Sequence, residues 1–356
     1  MAGTRPPVRR AARLPGALAA LAFAGLVAQP VAVLAANAVA VVRVAQVVQA
    51  APPLLVTPVE QAVGQASSPT VAPAAAVPVG RGRLVLQAGD LQVTVFTYRP
   101  ATVPQPPGSP AALAPRRGPL LLVLHDEGGD ARRYRDFAMP IAEAHGYTIA
   151  APQLDAERFT AWRYAWAGVA RRTFPDNGVV IEPEPPALRL DAVLSSLVGQ
   201  LRIDGGDPVP HALLGHGAGA EALVRWAAFA PTEAMHVVAA NPRTTLMPNR
   251  SLDFPWGFGQ LPGSMASEPA IRAYLAQPLT LLLGTSGADR APGGPAGDSL
   301  LARGRNLASA GRQAALESGR PVYWRTVEVA DAGDDPARLF ASPALLQALL
   351  PFVGDE

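Results

Sequence analysis

The sequence predicts an α/β fold: a mostly parallel, doubly wound sheet that begins with an antiparallel hairpin. Three observations support this. First, short unbroken apolar runs recur at Leu120–Leu124, Tyr147–Ala151, His211–Leu214, His236–Ala240 and Leu279–Leu283, with a further strand-like run at Val322–Val329. A strand covered on both faces has this character, because neither side of its pleat meets water. Second, segments with helical spacing alternate with these runs: Tyr134–His145, Ala187–Leu201, Ala218–Phe229, Leu300–Glu317 and the C-terminal residues. Alternation of strand and helix builds parallel crossovers. Third, Arg83–Leu86 and Leu91–Tyr98 flank the turn-forming Ala88-Gly89-Asp90, which predicts a hairpin at one sheet edge.

The residues ahead of this domain have a different composition. Arg5, Arg9, Arg10 and Arg13 precede an apolar stretch, Leu14–Val27, and Ala36-Asn37-Ala38 fits a small-residue cleavage site. Residues 1–38 therefore read as an export signal, with a retained membrane anchor as the alternative, and place the protein in the periplasm or outside the cell. Residues 39–80 are rich in Ala, Val, Pro and Gln, with prolines at 52, 53, 58, 69, 73 and 78, and read as a tether. The domain is expected over 81–356.

Composition removes several chemistries. There is no cysteine, so disulfides, thiolate nucleophiles and Cys-bound zinc are excluded. There is no lysine either: every one of the 30 basic side chains is Arg, which rules out a Schiff-base lysine or a Ser-Lys dyad. The formal charge of +2 falls to −2 once the four arginines of the first 13 residues are set aside. No basic helix with interleaved aromatics is present, so nucleic-acid binding is not expected. No cofactor motif is present, and any contact with membrane is confined to the N-terminal segment.

The most informative segment is Leu213-Leu214-Gly215-His216-Gly217-Ala218-Gly219-Ala220. A buried strand runs through G-x-G-x-G directly into a helix. That is the context of the G-x-S-x-G elbow, in which glycines flank a nucleophile held on a strained turn. Here the central residue is Gly217, which has no side chain with which to attack a carbonyl. A phosphate-binding loop is the competing reading, but the G-x-G-x-x-G spacing is absent and no lysine exists for a P-loop. A close-packed structural turn is the remaining alternative.

With these residues the chain resembles the α/β-hydrolase superfamily, particularly bacterial esterases of the polyhydroxyalkanoate-depolymerase-like kind, over roughly residues 82–356. Leu121-Leu122-Val123-Leu124-His125 resembles the strand leading into the oxyanion loop. Tyr134-Arg135-Asp136, Ala150-Ala151-Pro152, Leu154-Asp155 and Arg158-Phe159 resemble the segment that follows. Phe254-Pro255-Trp256-Gly257 is similar to the variable substrate-side region, and Leu281–Gly284 to the strand before the catalytic acid. Ala302-Arg303-Gly304-Arg305 and Tyr323-Trp324-Arg325 are similar to the last helix and strand. The resemblance implies an oxyanion loop at His125, Asp126 (where the family has Gly) and Ala218, an acid a few residues past Gly284, where Gly287 stands in one alignment and Asp289 in another, and a histidine where Asp334 stands in Gly333-Asp334-Asp335.

The departures from that pattern fall on the chemistry, because the Ser and His positions hold Gly217 and Asp334. Nucleophile and base act as a unit, and what survives their loss is on the order of 10³ over water. The leading expectation is therefore an exported pseudo-esterase that binds an unidentified small molecule or protein. The alternatives are a hydrolase using a recruited serine or carboxylates, and an envelope interaction module with an idle cleft. Among the histidines, His145, His211 and His236 are expected to be structural, His216 to pack beneath the elbow, and His125 to shape the oxyanion loop. Ser264, Ser267 and Ser286 are loop residues that could approach the cleft; Ser195 and Ser196 belong to a flanking helix. Finally, Asp126, Asp289, Asp334 and Asp335 lie on loops that converge on Gly217: they either splay apart into water, the more ordinary outcome, or gather and raise a carboxyl pKa or hold a cation.

Overall fold

A computed structural model describes residues 75–104, 117–176, 178–204, 206–286 and 296–349. The chain divides into two units, Met1–Ala66 and Ser67–Glu356, and every described residue belongs to the second. The expected export signal and most of the expected tether lie outside the described residues. Among the described residues no helix is long and apolar enough to cross a membrane.

The main sheet contains eight strands. In chain order they are β1 (Gly80–Ala88), β2 (Leu91–Arg99), β3 (Leu120–Leu124), β4 (Thr148–Pro152), β5 (His211–His216), β6 (His236–Ala240), β7 (Leu279–Gly284) and β8 (Arg325–Val329). Their spatial order is β1-β2-β4-β3-β5-β6-β7-β8. β2 runs antiparallel to both neighbours, and the pairings from β4 to β8 are parallel. The expected hairpin thus sits at the sheet edge. In the described part of the expected tether, Val77 is buried and the Ala75 amide donates to the Gln200 carbonyl.

The helices are α1 (Ala131–His145), α2 (Ala161–Tyr164), α3 (Leu190–Leu201), α4 (Ala218–Phe229), α5 (Glu268–Leu275), α6 (Leu300–Ser318), α7 (Pro336–Phe340) and α8 (Pro343–Ala348). Every residue of β3 is buried, and its side chains alternate between two apolar clusters. Leu120, Leu122 and Leu124 pack with Leu194 and Leu197 of α3, Leu223 of α4 and Leu307 of α6. Leu121 and Val123 face the other way, toward Ile141 of α1, Leu339 of α7 and Leu345 of α8. The continuous apolar run is therefore two cores sharing one strand, as the period of two requires. Truncating one of these leucines to Ala removes about 2–5 kcal/mol.

Local chemistry sets the element ends. α1 begins three residues before the expected Tyr134, because Asp130 caps it by accepting from the Arg132 amide at 2.8 Å. It ends at Gly146, whose φ of 73° is the left-handed cap. α3 begins at Leu190 instead of Ala187, because Pro186–Leu188 form a separate tight turn. The short α2 and the small hairpin Ala170–Thr173/Val180–Pro183 have no counterpart in the expectations.

Candidate functional site

The elbow forms as its spacing predicts. β5 ends at His216, α4 begins at Ala218, and Gly217 between them has φ 54° and ψ −118°, outside the range most L-residues adopt. The flanking glycines are needed for close approach. A Cβ on Gly215 would lie 2.5 Å from the Gly219 carbonyl carbon, and one on Gly219 would lie 2.7 Å from the His125 carbonyl oxygen. Strand, helix and the loop after β3 are thereby drawn together around position 217.

A carboxylate occupies the place of the nucleophile. A Cβ on Gly217 would lie 2.2 Å from Asp126 Oδ1 and 2.9 Å from Oδ2. Asp126 Oδ1 accepts from the Ala218 amide at 2.9 Å and from the Glu127 amide at 2.7 Å. These two amides, one following the elbow residue and one on the loop after β3, are where an oxyanion hole is built. Arg243 grips the same carboxylate with both terminal nitrogens, Nη1 donating to Oδ1 at 2.9 Å and Nη2 to Oδ2. The cradle for a developing oxyanion thus holds a permanent anion from the chain itself.

Asp334, on the turn after β8, is the second carboxylate. Its Oδ1 accepts from His216 Nε2 at 3.0 Å and from Asn241 Nδ2 at 3.2 Å, while Oδ2 lies 3.8 Å from Arg243 Nη2. On the other side of the imidazole, Tyr134 Oη lies 2.9 Å from His216 Nδ1. Burial pushes the Tyr134 phenol well above its ordinary value, so it keeps its proton. Nε2 faces a carboxylate oxygen and so carries the hydrogen given to Asp334, while the phenol hydroxyl pairs with Nδ1. A histidine does stand in the site, but at the position before the elbow residue, and it is committed at both nitrogens. Burial alone would raise the Asp334 carboxyl; the hydrogen bond and attraction of His216, helped by Asn241 and Arg243, outweigh it and hold the group below its usual range.

That depression makes Asp334 a stability group whose sign can be worked out. A carboxyl lowered in the folded state contributes stability above its unfolded pKa of about 3.9, and loses it as pH falls through the folded value. Asp334→Asn is expected to lower the urea midpoint at pH 7 and to reduce the loss of stability on acidification below about pH 4. Urea titrations across pH 2–7 read both effects.

The loop that carries Arg243 is fastened from below. Asn241, at the end of β6 with φ 46°, accepts from the Gly284 amide at 3.0 Å and donates to the Gly333 carbonyl at 2.7 Å. Arg225, fully buried, donates to the Glu221 and Pro255 carbonyls and to the Thr244 hydroxyl at 2.9–3.0 Å. Thr244 donates in turn to the Glu221 carboxyl, which burial pushes above its ordinary value. Arg303 of α6 holds the Arg243 carbonyl at 2.5 Å. The Arg243 cation is further stabilised by its anions: Asp126 and Asp334 outweigh the effect of burial.

The other expected site residues divide as follows. His125 is fully buried, donates from Nδ1 to its neighbour's carbonyl at 2.6 Å and accepts at Nε2 from the Leu154 amide at 3.2 Å. Burial lowers its pKa, so it is a neutral structural group of the loop after β3. Asp335 does not join the site: it caps α7, accepting from the Ala337 amide at 2.9 Å, and pairs with Arg338. Asp289 lies outside the described residues. Asp126 and Asp334 do converge, but the cation between them is Arg243, and no cluster of three or more potential metal ligands occurs among the described residues. Of the four acids named, two share a guanidinium and a third faces its own helix. Among the described residues no serine hydroxyl bonds a histidine: Ser267 caps α5, and Ser195 and Ser196 lie on α3.

Solved structures that match most of the chain include two hydrolases. Poly(aspartic acid) hydrolase-1 from Sphingomonas sp. KT-1 is 24% identical, with a TM-score of 0.65, covering 76% of this chain and 99% of that one. A poly(3-hydroxybutyrate) depolymerase from Bordetella parapertussis is 24% identical, with a TM-score of 0.62, covering 78% of this chain and 93% of the other. The chain has the α/β-hydrolase fold. No family model and no curated protein matches its sequence. Within the α/β-hydrolase fold, the functional residues that sequence reading missed are Arg243, Asn241 and Tyr134. Asn241 and Arg243 follow directly on the carboxyl end of β6, where an open parallel sheet collects its ligand-facing groups. That position was a usable signal.

Proposed function

We propose that this protein is an exported pseudo-esterase, an α/β-hydrolase fold that binds a ligand or partner without hydrolysing it. One observation carries the reading: the Asp126 carboxylate lies over Gly217 and fills both amides of the oxyanion hole. A substrate carbonyl oxygen would have to displace an anion that is also forked by Arg243, and no nucleophile waits beneath it. The same contacts weigh against carboxylate chemistry, since Asp126 and Asp334 are both held by Arg243 instead of facing a reacting carbon. Export rests on the basic, apolar and small-residue pattern of residues 1–38.

The test is hydrolysis of p-nitrophenyl acetate and butyrate by the purified domain. The expected rate is at most a factor of about 10³ over buffer, and Asp334→Ala leaves it unchanged. Turnover that saturates with substrate and falls on Asp334→Ala would show that a carboxylate works in this site. Export is read by N-terminal sequencing of secreted material, which is expected to begin near residue 39.

A further inference from the structure

A second site lies away from the elbow. A cavity of about 300 Å³ is enclosed by the β1–β2 turn, the segment after β4, α2 and the start of α3. β2 runs antiparallel to β4 with Val95 opposite Pro152, so the turn at Leu91 sits at the carboxyl end of β4. The cavity therefore opens at the same end of the sheet as the elbow. Its volume lies at the lower bound of small-molecule sites, about 300–1,000 Å³.

The wall chemistry is specific. Leu91, Phe159, Leu188 and Val193 supply apolar surface. Arg189 lines the same space although it is only 6% exposed. Its Nε donates to the Glu184 carbonyl at 2.9 Å, and its Nη2 reaches the thioether of Met265 at 3.7 Å, a weak acceptor. Among the described residues it forms no ion pair. Its nearest acid along the chain, Asp191, is itself buried, which pushes that carboxyl up against the pull of Arg189. Asp191 and Glu184 attract this cation only from beyond ion-pair distance and do not fully offset its desolvation. Burial accordingly lowers its pKa. Arg163, also in the wall, rests on the Trp162 ring at 5.6 Å and has no carboxylate partner among the described residues. The third arginine, Arg158, is neutralised by Asp155 at 2.5 Å.

We propose that this cavity binds an amphiphilic monocarboxylate, its head on Arg189 and Arg163 and its chain against Leu91, Phe159, Leu188 and Val193. Three arginines against one carboxylate, Asp90, line the cavity, and Arg189 and Arg163 hold no ion pair within 4 Å among the described residues, which favours a ligand with an anionic head able to take charge-assisted bonds. The apolar walls fix its other end. α2 links this cavity to the elbow, because Tyr164, next to Arg163, donates to the His125 carbonyl.

Octanoate is the probe, read by thermal unfolding and isothermal titration on the purified domain. A ligand bound only by the folded state raises the unfolding midpoint. Octanoate is expected to raise it with saturation, whereas octanol, which lacks the head, and acetate, which lacks the chain, leave it in place at equal concentration. Arg189→Met is expected to weaken octanoate by about tenfold or more through loss of the charge-assisted bond. Leu188 is 60% exposed, so Leu188→Asp leaves the fold intact while placing a negative charge at the rim, and it too is expected to weaken binding. If Arg189→Met fails to fold, Leu188→Asp decides alone. No shift with octanoate, an equal shift with octanol, or unchanged affinity in the folded variants overturns the proposal. Ester turnover is not read here, so this result and that for the pseudo-esterase reading stand apart.

Discussion

Serine introduced at position 217 is expected to produce a protein that is less stable and still inactive. The new Cβ would lie 2.2 Å from Asp126 Oδ1, so the carboxylate must leave the Ala218 and Glu127 amides and the Arg243 fork. Overpacking and lost charge-assisted bonds together cost about 2–4 kcal/mol. Gly217→Ala is expected to cost nearly as much, because the clash belongs to the Cβ and not the hydroxyl. In an Asp126→Gly background the same substitutions meet no carboxylate, and only the strain of φ 54° remains, about 1–3 kcal/mol. A double-mutant cycle by urea unfolding would therefore show a coupling of about 2 kcal/mol between positions 126 and 217. Additive costs would mean that Asp126 does not occupy the nucleophile's place. Sequence reasoning alone asks for two restorations, Gly217→Ser and Asp334→His; the structure adds Asp126→Gly, because the oxyanion hole must be emptied before it can serve an ester.

Arg243→Met is expected to be the most disruptive substitution at the site that leaves its backbone untouched. It removes the cation shared by Asp126 and Asp334, whose side chains are 17% and 28% exposed. Breaking a buried pair from one side costs about 3–5 kcal/mol, and the 39% exposure of Arg243 brings the expectation down to about 2 kcal/mol. With its guanidinium gone, Asp334 loses one of the interactions that hold its pKa down. The stability deficit of the variant should therefore narrow on acidification below about pH 4, where that carboxyl begins to take up a proton in either protein. A pH-independent deficit would place the role of Arg243 in packing instead of charge.

The fold was legible in the sequence because burial dictates pattern. β3 and β6 coincide with their apolar runs at Leu120–Leu124 and His236–Ala240, since strands covered on both faces leave no polar interruption. α4 was legible from Ala218–Phe229 because the glycines before it can only be a turn. The four-residue α2 and the 170–183 hairpin were not, since short surface elements carry too few residues for a period to show. At the site, the loss of the nucleophile was legible from one residue, Gly217. The filling of its place by Asp126 was not, because a contact between the loop after β3 and the elbow depends on how two glycine-rich turns approach. Arg243 escaped notice for a similar reason: a basic residue in a loop after a strand has no local pattern, and its importance comes from two acids 117 and 91 positions away. Asp126 and Asp334 lie on one guanidinium, a counter-charge that the chain itself supplies.

The central claim, that the elbow of this α/β-hydrolase fold has no nucleophile because its central residue is Gly217 and that Asp126 fills the space over it, is tested most directly by exposure to a fluorophosphonate followed by intact-mass spectrometry. The wild-type chain is expected to show no mass increase, while the Asp126→Gly/Gly217→Ser/Asp334→His variant takes up one adduct that maps to residue 217. A stoichiometric adduct on the wild-type chain would contradict the account, because some serine would then be acting as a nucleophile in a site read here as closed to it.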